Sequence, residues 1–150
     1  MQGNVGKHTK LTGEGHISMF PWHYYEIVQG TFAWTATTSQ IYYSIFQNAA
    51  GVQNDELTYK LCLDAGTYTL TVLGMKDVDM GIATYSIDGS SVGTIDWYNG
   101  SAQYNRIQSV TGISVTSPGL KTLSVKSSTK NGSATKYVIN MTTISLYRTA

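Results

Sequence analysis

Apolar and polar residues alternate with a period of two along most of this chain, and that period belongs to β-strands with one face buried. Leu57, Tyr59, Leu61 and Leu63 interleave with Thr58, Lys60 and Cys62. Tyr68, Leu70 and Val72 interleave with Thr67, Thr69 and Thr71. The turn residues Asp64-Ala65-Gly66 separate the two runs, which predicts a β-hairpin. Asp88-Gly89 between Ile82–Ile87 and Val92–Trp97 predicts a second one. Further strands are expected over Glu26–Ala36, Ile41–Phe46, Ile107–Val115, Leu120–Lys126 and Tyr137–Tyr147. Gly112 marks a bulge and Ser117-Pro118-Gly119 a turn. The loops fall at Met75–Met80, Tyr98–Asn105 and Ser127–Lys136. No apolar stripe at helical spacing persists beyond two turns. Short strands in regular succession predict an all-β fold, a sandwich or a barrel.

The first sixteen residues are polar and Gly-rich, so residues 1–16 are expected to form a tether and 17–150 a single domain. The dense aromatic stretch Phe20-Pro21-Trp22-His23-Tyr24-Tyr25 is expected to begin the packed part. A chain of 150 residues can bury a core without disulfides or metal. The single cysteine, Cys62, is expected to be a small core residue. No secretory leader and no run of 18 apolar residues is visible, so no membrane span is expected.

Charged residues make up only 13% of the chain and the formal net charge is +1. That is about half the usual charged share. The basic residues are scattered, which argues against nucleic acid as a partner. A surface built from Thr, Ser, Asn, Gln and Tyr suits a neutral ligand such as a glycan.

Catalytic patterns are missing. There is no G-x-S-x-G elbow, no phosphate-binding loop and no H-E-x-x-H. His8 and His16 lie in the expected tether, and His23 in the aromatic stretch. Asp77 and Asp79 share a loop and could serve a glycosidase pair or a Ca²⁺ site, but ordinary loop acids are the simpler expectation. No metal and no cofactor is predicted, and the chain is not expected to be an enzyme. Aromatic rings near side-chain amides are better evidence of a ligand, because sugars stack on rings and hydrogen-bond to amides and carboxylates. The stretch from Trp97 to Asn105 offers Tyr98, Asn99, Gln103 and Tyr104 together. Trp97 and Tyr104 are expected to face the core, and Tyr98 to be exposed.

From Asp55 to Arg148 the ordered motifs carry a resemblance. They are Ala65-Gly66-Thr67-Tyr68-Thr69-Leu70-Thr71-Val72, Ile87-Asp88-Gly89 through Val92-Gly93-Thr94-Ile95-Asp96, Ser117-Pro118-Gly119-Leu120 and the closing Ile144 to Thr149. The set resembles carbohydrate-binding modules of the galactose-binding-like jelly-roll group, the CBM6 and CBM35 type. It is similar above all to the version at the ends of bacteriophage tail fibres, tailspikes and related virion proteins. The resemblance implies a two-sheet antiparallel β-sandwich of jelly-roll type, and a non-catalytic domain that binds a cell-surface glycan at loops on one edge of that sandwich. It also implies a place on the virion surface, with a homotrimer or other virion proteins as partners. The alternative is a structural virion protein, a capsid decoration or a trimerisation cap. Carried onto this sequence, the binding ring is Tyr98 or Tyr104, and the binding Asn is Asn131. The remaining family loop corresponds to Lys76–Asp79, which holds Asp77 and Asp79 but no aromatic residue. The acidic ligands of the family's structural Ca²⁺ are not matched either: Asn140 stands in the last strand where an acid is expected.

Overall fold

The computed structural model describes residues 9–11, 15–36 and 44–150, and among them every regular element is a strand. Thirteen strands follow in order. The first five are β1 (Thr9–Leu11), β2 (His16–Met19), β3 (Glu26–Gln29), β4 (Ala33–Ala36) and β5 (Ser44–Gln47). The long ones are β6 (Glu56–Leu63), β7 (Gly66–Lys76), β8 (Ile82–Ile87), β9 (Ser90–Asp96), β10 (Gln103–Val115) and β11 (Gly119–Thr129). The chain closes with β12 (Asn140–Met141) and β13 (Thr143–Arg148).

One sheet runs β1-β6-β11-β8-β9, with β3 also paired to β6. A second runs β10-β7-β13-β2, and a small third one β12-β5-β4. All pairings are antiparallel except β1 with β6. The core lies between the two large sheets. Leu57, Tyr59, Leu61, Leu63, Tyr85, Leu123 and Val125 come from one, and Tyr68, Leu70, Val72, Ile144 and Leu146 from the other. Burying each such side chain stabilises the fold by about 1.5–3 kcal/mol before entropy is counted.

The expected jelly-roll sandwich is therefore present, with corrections at the level of pairing. The runs flanking Asp64-Ala65-Gly66 do not form a hairpin: β6 belongs to one large sheet and β7 to the other. Their apolar faces meet across the core instead of lying side by side, and alternation alone cannot distinguish those arrangements. The link is closed by Tyr68 Oη donating to the Asp64 carbonyl at 2.8 Å and by Arg148 Nη2 donating to the Ala65 carbonyl at 2.6 Å. The Asp88-Gly89 hairpin does form between β8 and β9, with both turn residues at positive φ, 50° and 82°. That is the geometry of a type I′ turn, which Asp-Gly favours. The Gly112 bulge is also present: the β10–β7 register shifts between Val110 and Ile113, and Gly112 has a φ of 69°.

The expected last strand, Tyr137–Tyr147, is two strands in different sheets, because Met141 pairs with Phe46 of β5 while Ile144 pairs with Val72 of β7. Gln103, Tyr104 and Asn105 open β10 instead of ending a loop, and Met75 and Lys76 belong to the end of β7 instead of opening one. Cys62 is half-buried rather than a core residue, because Leu61 and Leu63 take the inward side of β6. Of the leading segment 1–16, Thr9–Leu11 pairs with Leu61–Leu63 and His16 opens β2. Residues 1–8 and 12–14 lie outside the described residues, as does 41–43 of the expected second strand.

Candidate functional site

Three connections meet at one end of the sandwich: β7–β8, β9–β10 and β11–β12. They meet because β8 starts, and β9 and β11 finish, at that end. The β7–β8 connection is central and is held by backbone hydrogen bonds on both sides. On one side Asp77 N donates to the Trp97 carbonyl at 3.3 Å, and Asn99 N to the Asp77 carbonyl at 3.1 Å. On the other, Val138 N donates to the Asp79 carbonyl at 3.2 Å and Thr135 N to the Val78 carbonyl at 2.9 Å. Backbone pairing of this kind fixes loops that would otherwise be mobile. The residues expected to form the site, Tyr98, Asn99, Gln103, Tyr104, Asn131, Asp77 and Asp79, all belong to these three connections or the strand ends beside them.

Beneath the loops the end of the sandwich is closed by Trp97 and Asn140, both fully buried. Asn140 binds the backbone of Met75 in both senses: its Oδ1 accepts from Met75 N at 2.7 Å and its Nδ2 donates to the Met75 carbonyl at 2.7 Å. Gly74 makes this approach possible. A Cβ there would sit 2.7 Å from Asn140 Oδ1 and 3.2 Å from the Trp97 ring. Trp97 thus meets its expectation of facing the core. Its indole N–H and the Tyr85 hydroxyl are both buried without a well-formed hydrogen bond. Burial holds the Tyr85 hydroxyl well above the usual phenol range, and the nearby Trp97 indole offsets this only in part.

The expected site residues divide into those that hold the loops and those with polar capacity to spare. Asn131 holds the loop. Its Oδ1 accepts from Ser133 N at 3.1 Å and its Nδ2 donates to Asp96 Oδ2 at 3.3 Å. Asp77 Oδ1 accepts from Val78 N at 2.8 Å, within its own turn. Asn99 turns its amide onto Ser101, donating to that carbonyl at 2.7 Å. Tyr104 is half-buried against the core, as expected, and Tyr98 is half-buried rather than exposed. The Tyr98 hydroxyl lies 4.0 Å from where a Cβ of Gly100 would stand, so the ring folds back along its own loop. Asp79 and Gln103 are half-buried. Among the described residues the ion pairs are Lys121–Asp88 and Lys126–Glu56, so neither Asp77 nor Asp79 is neutralised by one. Such carboxylates can accept hydrogen bonds from a ligand's hydroxyls.

Asp96 is the residue the sequence reading overlooked. Its Oδ1 accepts from Tyr98 N at 2.9 Å while its Oδ2 takes Asn131, so one carboxylate ties the Tyr98 loop to the Asn131 loop. An Asp at the end of a strand is the sequence signal, since its side chain can cap the N–H two positions on. His16 and His23 lie elsewhere: His16 pairs with Tyr147 in β2, and His23 packs edge-on against Phe20 and Trp22. His8 lies outside the described residues. Among the described residues no group of three or more His, Cys, Asp or Glu is placed to hold a metal.

No protein-family profile matches the sequence, and no curated protein matches it. Solved structures do match its fold. A Paenibacillus xanthan lyase is similar at 24% identity and a TM-score of 0.65, over 81% of this chain but only 12% of the lyase. The CBM36-1 domain of a multidomain xylanase, from the hindgut metagenome of Trinervitermes trinervoides, is similar end to end. Its TM-score is 0.64 at 15% identity, over 91% of this chain and 99% of that one. The CsCBM6-3 module of Clostridium stercorarium, solved in complex with cellobiose, gives a TM-score of 0.60 at 16% identity, over 97% and 100%. At such identities the likeness establishes the fold, a jelly-roll β-sandwich of the kind carbohydrate-binding modules have.

Proposed function

We propose that this sandwich is a non-catalytic carbohydrate-binding domain whose ligand seats on the loop cluster at the β7–β8, β9–β10 and β11–β12 end. The observation that carries the proposal is the joining of fold and site. A module-type sandwich, similar over its full length to one solved with cellobiose, gathers the half-buried Tyr98 ring with the Asp77 and Asp79 carboxylates and the Gln103 amide at one end. Tyr98 supplies a stacking surface, Asp79 accepts from sugar hydroxyls, and Gln103 can both donate and accept. Asp96, Asn131 and Asn140 are positioning residues that act by holding the loops.

We further propose that the domain acts in receptor recognition on a bacteriophage virion, as the trimeric end of a fibre or a related protein. Support comes from the resemblance of its Asp55–Arg148 motifs to such domains and from its low charge.

The test is a glycan array probed with the wild-type domain, Tyr98→Ala and Gln103→Ala. Selective binding is expected, weakened roughly tenfold in Tyr98→Ala, which corresponds to about 1.4 kcal/mol. A folded domain that binds no glycan would overturn the proposal and favour a structural virion role. Binding untouched by both substitutions would move the site away from these loops. Sedimentation of the same protein checks the trimer.

A further inference from the structure

The opposite end of the sandwich carries a cleft that the loop site does not use. It opens between the Asp88-Gly89 hairpin and the β10–β11 turn and encloses about 270 Å³. Its wall is rich in hydroxyls, from Ser90, Ser114, Thr116 and Ser117. Its apolar surface comes from Ile87, Val92 and Val115, of which Ile87 and Val115 also belong to the core.

One cation and one anion sit in this wall, and they are fixed to each other. Lys121 Nζ lies 3.3 Å from Asp88 Oδ2 and donates to Ser117 Oγ at 3.3 Å. The Lys121 side chain is only 14% exposed, so it lies folded down into the structure rather than extending into water. Asp88 is held in turn, its Oδ1 accepting from Thr122 N at 2.8 Å. That bond, more than the neighbouring ammonium, keeps its carboxyl below the usual range.

We infer that this cleft is a second ligand site, which takes a single neutral polyhydroxylated ring such as one sugar residue. Charge selects the class. An anion would have to compete with Asp88 for Lys121, and a cation with Lys121 for Asp88, whereas a neutral ligand leaves the pair intact. Hydrogen bonding selects further. The ammonium has three donors and two are engaged, while the carboxylate keeps lone pairs to spare. Adjacent hydroxyls on a sugar can use both at once, and the serines can donate or accept. Size limits the ligand to one ring, because the volume falls just below the roughly 300–1,000 Å³ of pockets that hold drug-sized molecules. The two sites are separated by the length of β8, six residues, or roughly 20 Å. One domain could therefore hold two chains, or two points of one branched chain.

The test is an amide-resolved NMR titration of the full chain with glucose, galactose and mannose, and with glucose 6-phosphate as a charged probe. Concentrations reach roughly 0.1 M, because a single ring without an aromatic partner is expected to bind in the millimolar range. At least one neutral sugar is expected to give saturable shifts at Ser90, Ser114 and Lys121. Those shifts should weaken tenfold or more in Lys121→Met, and also in Ser114→Tyr, which fills the cleft from an exposed position. The amide spectrum itself shows whether each variant is folded. No saturable shift at these amides with any sugar overturns the inference. So does saturation by the phosphate alone, or shifts unchanged in both variants. Shifts at the Tyr98–Gln103 amides are read separately, so the loop site can fail while the cleft stands, and the reverse.

Discussion

Replacing Asn140 with alanine tests the physical account of the loop end most directly. Met75 sits where the β10–β7 register breaks, between the Gln103–Lys76 and Arg106–Gly74 pairs, so its backbone lacks a partner in β10. Both its N–H and its carbonyl are bonded by the one amide side chain, at 2.7 Å each, in a fully buried setting. Alanine removes both bonds. Each buried polar group left alone costs about 1–3 kcal/mol. With the small cavity added, the loss is expected to be about 3–5 kcal/mol. Single domains unfold at about 5–15 kcal/mol, so the variant should remain folded but with much of its stability gone.

The assay is urea unfolding followed by tryptophan fluorescence and far-ultraviolet circular dichroism, with the slope compared between variants. Asn140→Asp sharpens it. Aspartate can accept from Met75 N but, when ionised, cannot donate to the Met75 carbonyl. Its folded-state pKa must therefore rise above the ordinary value near ~3.9. Stability of that variant should be greatest at low pH and fall, by up to about 1.4 kcal/mol per unit, as pH rises through the unfolded pKa. A loss below about 1 kcal/mol in Asn140→Ala, at unchanged slope, would refute the reasoning. It would mean that water satisfies Met75 and that the amide is replaceable.

Three further outcomes are expected. Gly93→Ala should cost about 1–3 kcal/mol in the same urea assay, because its Cβ would stand 2.5 Å from Val110 Cγ1. Adding Val110→Ala should recover part of that loss, and strict additivity of the two would show that the contact is not the cause. Tyr85→Phe should change stability by less than about 1 kcal/mol, since it removes a buried hydroxyl without a well-formed bond; a loss above 2 kcal/mol by thermal or urea unfolding, by about that measure, would reveal a genuine bond to Trp97. Burial raises both Tyr59 and Tyr85, with neighbouring tyrosines adding to the effect at Tyr59. Their neutral forms therefore support the fold fully below the unfolded tyrosine pKa near ~10, and stability should be lost as pH rises beyond it. Tyrosinate absorbance should show these two ionising only on unfolding, and ordinary titration of all eleven tyrosines in the folded protein would contradict it.

What the sequence determined by itself is local. A period of two, with Thr and Ser between the apolar residues, specifies strands with one wet face wherever it occurs, because a strand has no third direction for a side chain. Asp88-Gly89 specified its hairpin because the turn needs two positive φ angles that this pair tolerates. Gly112 specified its bulge on the same ground. The sequence also placed Asp77, Asp79, Tyr98, Asn99 and Asn131 in connections between strands, whereas Gln103 and Tyr104 stand at the start of β10.

Tertiary structure decided which strands became neighbours. The alternation in Leu57–Leu63 and Tyr68–Val72 fits a hairpin and a cross-sheet link equally well, and the core, which needs two apolar faces opposed, chose the link. It also divided the candidate residues by role. Asn131, which the resemblance offers as a ligand contact, also bonds Asp96, 35 positions away, and so ties two loops together. Asn140 stands where an acid was expected and instead completes the backbone of Met75, 65 positions earlier. The cleft beside Lys121 left no sequence signal at all, because its serines and its ion pair come from separate turns that only the folded sandwich brings together. Local chemistry repeats with the strand period and can be read along the chain, whereas bonds spanning dozens of residues exist only after the sheets have chosen their order.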